Sequence, residues 1–225
     1  MYKILKRILD VAISLITLLI LAPFLIPLLL LLRFTGEGEI WYKQNRVGYK
    51  NNMFKIWKFA TMLKNSPNMG TGSLTVRNDP RVTPMGKYLR KSKVNELPQI
   101  INVLKGDMSI VGPRPQMQVD FDVYSENVQD KIYNLKPGIT SIGSIIFRDE
   151  EKLMTDSDRP VKEYYAQVIA PYKGELELWY QEKANIFNDI KIIFLTAWAI
   201  IFPESKLMYS WFKDMPKSNI PNLHI

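Results

Sequence analysis

VAISLITLLILAPFLIPLLLLL, Val11 to Leu32, is a run of 22 residues without a formal charge. At about 1.5 Å per residue, such a helix is long enough for a hydrocarbon core of roughly 30 Å. Pro23 and Pro27 interrupt the run, and each removes a backbone donor and bends a helix. Basic residues flank both ends, with Lys3, Lys6 and Arg7 before it and Arg33, Lys43, Arg46 and Lys50 after it. A straight span would put one of these clusters on the outer side, against the positive-inside tendency. The expectation is a helix that enters the bilayer, breaks at Ala22-Pro23 and returns to the face it left; the competing reading is an ordinary kinked transmembrane helix. The run also exceeds the roughly 7–15 apolar residues of a cleaved signal sequence.

Working outward, the charge is unevenly spread. The 225 residues carry a net +8, but Lys43 to Lys105 holds thirteen Lys/Arg against two acids, Asp79 and Glu96. From Gly106 onward the balance reverses to −4. A concentrated cationic stretch seeks an anionic partner: nucleic acid, a membrane surface or a phosphorylated substrate. Membrane residence accounts for part of the basic excess, so nucleic acid is not expected. The chain has no cysteine, and its one histidine is His224. Disulfides, thiolate nucleophiles and His-based triads or metal sites are thereby set aside. Acid–base and nucleophilic work falls to carboxylates, Lys, Tyr or Ser, or to a metal held by oxygen.

The rest of the chain predicts a mainly helical α+β domain, not a doubly wound sheet. Ile40–Lys58 reads as two extended pieces around a polar Gly48–Asn52 turn, a short β-hairpin. Asn65–Asn78 is rich in Asn, Ser, Gly, Thr and Pro and reads as a loop without a phosphate-binding glycine fingerprint. Gly86–Leu104, interrupted by Pro98, and Val119–Leu135 and Val161–Phe187 have helical spacing. Ile190–Phe202 is apolar but too short to span, and Trp198 and Trp211 fit an interfacial amphipathic helix; a core helix is the equal alternative. The expected division is a membrane anchor over 1–36, a cytoplasmic and interfacial domain over 37–203, and a C-terminal tail over 204–225.

The two acids of the cationic stretch are the first chemical candidates. Asp79 stands two residues before Arg81, and Glu96 follows Lys91 and Lys93. Opposite charge keeps such acids ionised, and a carboxylate in a cationic bowl suits Mg²⁺ bridging to a pyrophosphate. Structural ion pairing is an equal alternative for both. Pro113-Arg114-Pro115 holds an arginine between two prolines, which stiffen the backbone and suit bidentate recognition of phosphate; a rigid surface loop is the alternative. Asp120-Phe121-Asp122 reads as solvated helix surface and Asp156-Ser157-Asp158 as a capping loop.

In order along the chain come Gln44-x-Arg46-x-Gly48, Lys58-Phe59-x-x-Met62, Asp79-x-Arg81-x-Thr83-x-x-Gly86 and Leu89-Arg90-Lys91. Glu96-Leu97-Pro98-Gln99, Asn102 to Ser109, Val111-Gly112-Pro113-Arg114-Pro115, Lys136 to Thr140 and Asp189 to Ile192 follow. This series resembles the bacterial sugar transferases called monotopic phosphoglycosyl transferases, over nearly the whole chain. Lys6-Arg7-x-x-Asp10 and Ala22-Pro23 resemble that family's re-entrant anchor. The resemblance implies a reaction at the cytoplasmic face of the bacterial inner membrane. A UDP-sugar gives sugar-1-phosphate to undecaprenyl phosphate and releases UMP, and downstream glycosyltransferases extend the product into O-antigen, capsule or exopolysaccharide. It implies Mg²⁺, an Asp-Glu pair whose Asp forms a phosphosugar–enzyme intermediate and whose Glu holds the metal, and an arginine on phosphate. That Glu falls on Glu96 and that arginine on Arg114. Lys58, Asp79, Arg81 and Arg90 are carried over as the substrate- and phosphate-binding set, and the family is compatible with a homodimer.

The Asp, however, falls on Asn95, and an arginine usual to the family is replaced by Ala60. An amide is a very poor nucleophile. Three readings follow: direct attack by the polyprenyl phosphate, a substitute nucleophile in Glu96 or Asp107, or a catalytically inactive scaffold that binds nucleotide sugar.

Overall fold

The computed structural model describes residues 1–70, 72–220 and 223; His224 lies outside them. The long apolar run forms most of α1, Tyr2–Arg33. The assignment stays helical through Pro23 and Pro27, so the expected break at Ala22-Pro23 does not end the helix. The flanking turns supply enough hydrogen bonds to carry it past the donors that proline lacks. This is a helix long and apolar enough to cross a membrane, with a mean hydropathy of 2.9.

Its packing is one-sided along its length. At the N-terminal end, Tyr2 and Lys6 reach Asp189, and Arg7 donates to the carbonyls of Val103 and Leu104. Buried Asp10 accepts from Ser109 Oγ and the Ile110 N–H, both at 2.9 Å. At the other end Leu25, Leu28, Leu29 and Leu32 pack with Phe59 and Leu89. The opposite face leaves Leu15, Ile16, Leu19, Ile20, Phe24 and Ile26 more than half exposed.

After α1 comes the expected hairpin. Strands β1, Trp41–Val47, and β2, Met53–Phe59, are antiparallel in a register that sets Lys43 opposite Trp57 and Tyr42 opposite Lys58. Lys50 and Asn51 take positive φ in the turn. The polar loop follows as foreseen. Helix α2, Pro84–Lys91, begins with Thr83 capping the Gly86 N–H at 3.0 Å. It does not continue to Leu104: Lys93 sits at φ 59°, a short 3₁₀ turn covers Val94–Glu96, and Pro98 opens α3, Gln99–Lys105. The last turn of α3 closes on Gly106, in the left-handed region at φ 91°.

Strand β3, Ser109–Val111, pairs in parallel with β4, Gly138–Thr140, a small second sheet with no period-2 signal long enough to announce it. Between them lie α4, Gln118–Phe121, and α5, Glu126–Lys131, so Val119–Leu135 is two short helices and not one. Asp120 is buried, with Ser73 Oγ donating to it at 2.7 Å, in contrast to the solvated surface expected. Helices α6, Ile142–Ile146, α7, Glu150–Thr155, and α8, Val161–Tyr164, follow. A π-helical turn over Tyr165–Ile169 joins α8 to α9, Ala170–Lys183.

The main core gathers Ile132, Tyr133, Ile142, Ile169, Leu176, Tyr180, Ile192 and Leu195. Helix α10, Ile186–Ile201, divides the two roles expected for it. Ile192 and Leu195 face the core, while Ile190, Phe194, Ile200 and Ile201 are exposed apolar surface. Beyond α10, α11, Leu207–Trp211, and the following segment put Met208, Phe212, Met215, Ile220 and Leu223 into the core. The described part of 204–225 is therefore a piece of the domain and not a tail. Its anchoring side chains stand among Pro, Lys and Asn, which hid them.

Candidate active site

Glu96 ends the 3₁₀ turn between α2 and α3. Its side chain is 12% exposed and faces Arg114, whose Nη1 lies 3.1 Å from Oε2 while Nη2 bonds Oε1. The Lys58 ammonium stands 3.7 Å from Oε1. Burial alone would push the Glu96 carboxyl up, but Arg114 and Lys58 overrule it and hold it well below the usual carboxylate range. The Glu96 charge in turn raises Arg114. Lys58 is pushed down to about 7, chiefly by burial, with Glu96 opposing and Arg46 and Arg114 adding to the fall. One carboxylate thus sits among several cations, an arrangement with positive charge to spare for a polyanion.

The local structure explains each placement. Lys58 is fixed because fully buried Asn102, on α3, accepts from the Trp57 N–H at 3.0 Å and donates to the Lys55 carbonyl at 2.8 Å. That pair of bonds fastens β2 to the helix that follows Glu96. Arg114 is clamped through its backbone. Gly112 N–H donates to Thr140 O, Gly138 N–H donates to Pro113 O, and the Tyr133 hydroxyl donates to Arg114 O at 2.9 Å. Glycine is required at 112, where a Cβ would lie 2.2 Å from Lys136 O. Two prolines, two glycines and a buried tyrosine therefore aim one guanidinium.

Asn95 is 6% exposed, and its Oδ1 is buried without a hydrogen-bond partner. An orphaned acceptor beside a charged cluster costs roughly 1–3 kcal/mol unless a ligand supplies a donor or cation. Among the described residues no three His, Cys, Asp or Glu side chains gather as a metal cage. A hard cation held by Glu96, the Asn95 oxygen and phosphate oxygens of a substrate is the kind of set Mg²⁺ takes, so these residues fit it.

Other expected residues are engaged in pairs of their own, and Asp79, Arg81 and Arg90 line the same cleft as Glu96. Asp79 and Arg81, both buried, pair with each other at 2.6 Å, and the Arg81 guanidinium also donates to the carbonyls of Ser66, Met69, Gly72 and Leu74. The arginine organises the loop before it and its donors are spent there, which favours the structural alternative for this pair. Asp107 follows the far end of α3, whose seven residues put about 10 Å of helix between it and the Glu96 turn. It accepts from Asn102 at 3.3 Å, so the structure does not bring it together with Glu96 and Arg114. Arg90 is on the cleft wall, held by Glu151.

Three side chains went unnamed as site residues from sequence. Arg46 reaches Pro115 O at 3.4 Å and stands near Arg114; in the sequence it was a flanking basic residue and one letter of a motif. Lys93, lowered by burial, belongs to the same cluster. Glu177, on α9 and 2% exposed, is pushed up to about 7 by burial and faces the Arg114 and Gly143 N–H groups from behind the turn. Nothing local in the sequence distinguishes it from a surface helix acid.

An open cleft of about 1450 Å³ joins these parts. Lys58, Asn95, Glu96 and Arg114 lie on its wall, and so do Ile13 and Thr17 of α1. Residues of the cationic site and of the apolar helix line one opening. Fold and site together define a protein with a helix long and apolar enough to cross a membrane and a carboxylate set among cations. The family model for bacterial sugar transferases matches residues 1–203, and the chain belongs to that family.

Relatives agree. The chain is 33% identical over 87% of its length to the UDP-glucose:undecaprenyl-phosphate glucose-1-phosphate transferase of Escherichia coli K12, and covers 40% of that protein. It is 35% identical over 86% of its length to the exopolysaccharide production protein PSS of Rhizobium leguminosarum bv. phaseoli, covering 94% of it. Against the undecaprenyl-phosphate galactose phosphotransferase of Salmonella typhimurium it is 32% identical over 88% of its length, covering 41% of that protein. The chain thus spans less than half of two of these relatives and nearly all of the third.

Proposed function

We propose that this protein transfers sugar-1-phosphate from a UDP-sugar to undecaprenyl phosphate and releases UMP, the step that begins a surface polysaccharide. The carrying observation is the buried Glu96 carboxylate held between Arg114 and Lys58, in an open cleft whose wall also includes Ile13 and Thr17 of the apolar helix. A polyprenyl phosphate has one anionic end and one apolar end, and this opening offers a surface to each. The names of the relatives, which specify glucose, galactose and N-acetylgalactosamine phosphotransfer to the same lipid, support the substrate class.

The chain's own residues supply binding and charge. Arg114 and Lys58 present donors to the pyrophosphate, and the excess of cations stabilises charge that builds on the leaving UMP. Mg²⁺, held through Glu96 and the Asn95 oxygen, would add neutralising charge on the pyrophosphate oxygens. Burial of Glu96 beneath Arg114 keeps bulk water from weakening these interactions.

The membrane placement belongs to the same reading. Both ends of α1 dock on one domain while the opposite face stays apolar, and basic residues flank both ends. This supports both ends of α1 lying on the cytoplasmic side of the inner membrane, with its apolar face and the exposed Phe194, Ile200 and Ile201 of α10 meeting one leaflet. Downstream glycosyltransferases would take up the lipid-linked product there.

The experiment is UMP release by the nanodisc-embedded protein with Mg²⁺, undecaprenyl phosphate and a panel of UDP-sugars. Release that needs the lipid and collapses in Glu96→Gln is expected. Nucleotide-sugar binding without any release would identify a scaffold instead.

A further inference from the structure

We infer that transfer in this protein is a single displacement, in which the acceptor phosphate itself attacks the donor and no phosphosugar is ever bound covalently to the chain. The inference rests on the activity proposed above and concerns how that site performs it.

The observation behind it is the state of the carboxylates around the cleft. Asn95 occupies the place beside Glu96 and offers an amide, which forms no phosphoryl ester under these conditions. Glu96 has both oxygens engaged, Oε2 by Arg114 Nη1 and Oε1 by Arg114 Nη2, with Lys58 close by. A carboxylate neutralised by a bidentate guanidinium and a nearby ammonium is a weakened nucleophile, while its remaining lone pairs stay open to a cation. Glu150 is paired with Lys173 at 2.8 Å, and Glu151 with Arg90. Asp107 lies beyond the far end of α3. Of the other acids on the cleft wall, Asp79 is paired with Arg81, Asp149 with Arg77, and Asp120 accepts from Ser73. The site is rich in cations, and each of these carboxylates is already engaged.

The chemistry balances without one. The acceptor is a phosphate monoester whose dianion carries its own nucleophilic oxygen, so no base has to remove a proton. That oxygen forms a bond to the β-phosphorus of the UDP-sugar, and the bond from this phosphorus to the bridging oxygen breaks. UMP leaves with the electron pair as a dianion, and the polyprenyl diphosphate sugar keeps the remaining two charges. Both substrates must then be present together. A neutral residue at 95 favours this, because a second carboxylate there would repel the incoming dianion. The room needed exists in the open cleft of about 1450 Å³.

The test uses the full chain in nanodiscs with Mg²⁺ and UDP-glucose, UDP-galactose and UDP-N-acetylhexosamines labelled in the β-phosphate. Without undecaprenyl phosphate, the single displacement gives no UMP and no labelled protein. With it, UMP appears and initial rates over both substrates give intersecting double-reciprocal lines. A burst of UMP matching the amount of enzyme, or label retained on denatured protein before any acceptor is added, overturns the inference while upholding the proposed activity. Absence of UMP with every donor in the presence of acceptor removes the activity and the inference with it.

Discussion

At residue scale the site is an imbalance of charge held in place by backbone. Glu96 is the carboxylate into which Arg114 and Lys58 point, so each of the three carries a distinct outcome. Arg114→Lys keeps the charge and loses the paired donors; UMP release should fall, and fall further in Arg114→Ala, by about 10²–10³ for loss of a charge-stabilising donor. Lys58, at about 7, is protonated below that pH and neutral above it. With its ammonium serving the pyrophosphate, kcat/KM should decline as pH rises through about 7, while protonation of the acceptor dianion brings a separate fall below about pH 6. Lys58→Arg should remove that alkaline limb, because guanidinium stays charged throughout. Asn95→Asp introduces a carboxylate nucleophile, and mass spectrometry of that variant incubated with donor alone should detect a phosphosugar adduct absent from the natural chain.

The sequence made Glu96 and Arg114 legible because each has a local physical reason, whereas Lys58 came only with the family resemblance. Arg114 is stiffened by its own neighbours, and Glu96 is an acid in a basic stretch. It could not separate these from Asp79 and Arg81, which look the same in one dimension. What distinguishes them is where the Arg81 donors go, and the carbonyls they find belong to residues up to 15 positions away. Asp120 was misread for a related reason, since its burial depends on Ser73, 47 residues earlier.

At the scale of elements, α1 is fastened at both ends. The Asp10 carboxylate satisfies the Ser109 hydroxyl and the Ile110 N–H, and Arg7 takes two carbonyls at the C-terminal end of α3. Asp10→Ala should leave those two donors unpaired and lower the thermal midpoint in detergent, at a cost of about 1–3 kcal/mol. The chain has no cysteine, so a single Cys introduced at Lys3 reports topology directly. In intact cells it should resist an impermeant maleimide if both ends of α1 lie on the inner side, whereas a straight span in one orientation would expose it. The hairpin was readable because a polar Gly48–Asn52 turn separates two extended pieces. The Gly86–Leu104 helix was not, because the left-handed Lys93 makes a bend that helical spacing alone does not reveal. The β3–β4 pair is three residues a side and joins segments far apart in sequence, below what periodicity can show.

For the molecule as a whole, the domain is closed by its last described residues. Met208, Phe212 and Met215 pack into the cluster that includes Leu176 and Tyr180. A chain ending at Pro203 should therefore melt lower or aggregate, where a dispensable tail would leave the melting curve unchanged. The molecular plan is a cationic cleft bordered by an apolar helix, and its central claim is chemical. That claim is tested most directly by UMP release from the nanodisc-embedded chain and its Glu96→Gln variant, with and without undecaprenyl phosphate, across the UDP-sugar panel. The account predicts lipid-dependent release with at least one donor and its collapse in the variant. Release that ignores the lipid, or none from a chain shown by circular dichroism to be folded, would contradict it.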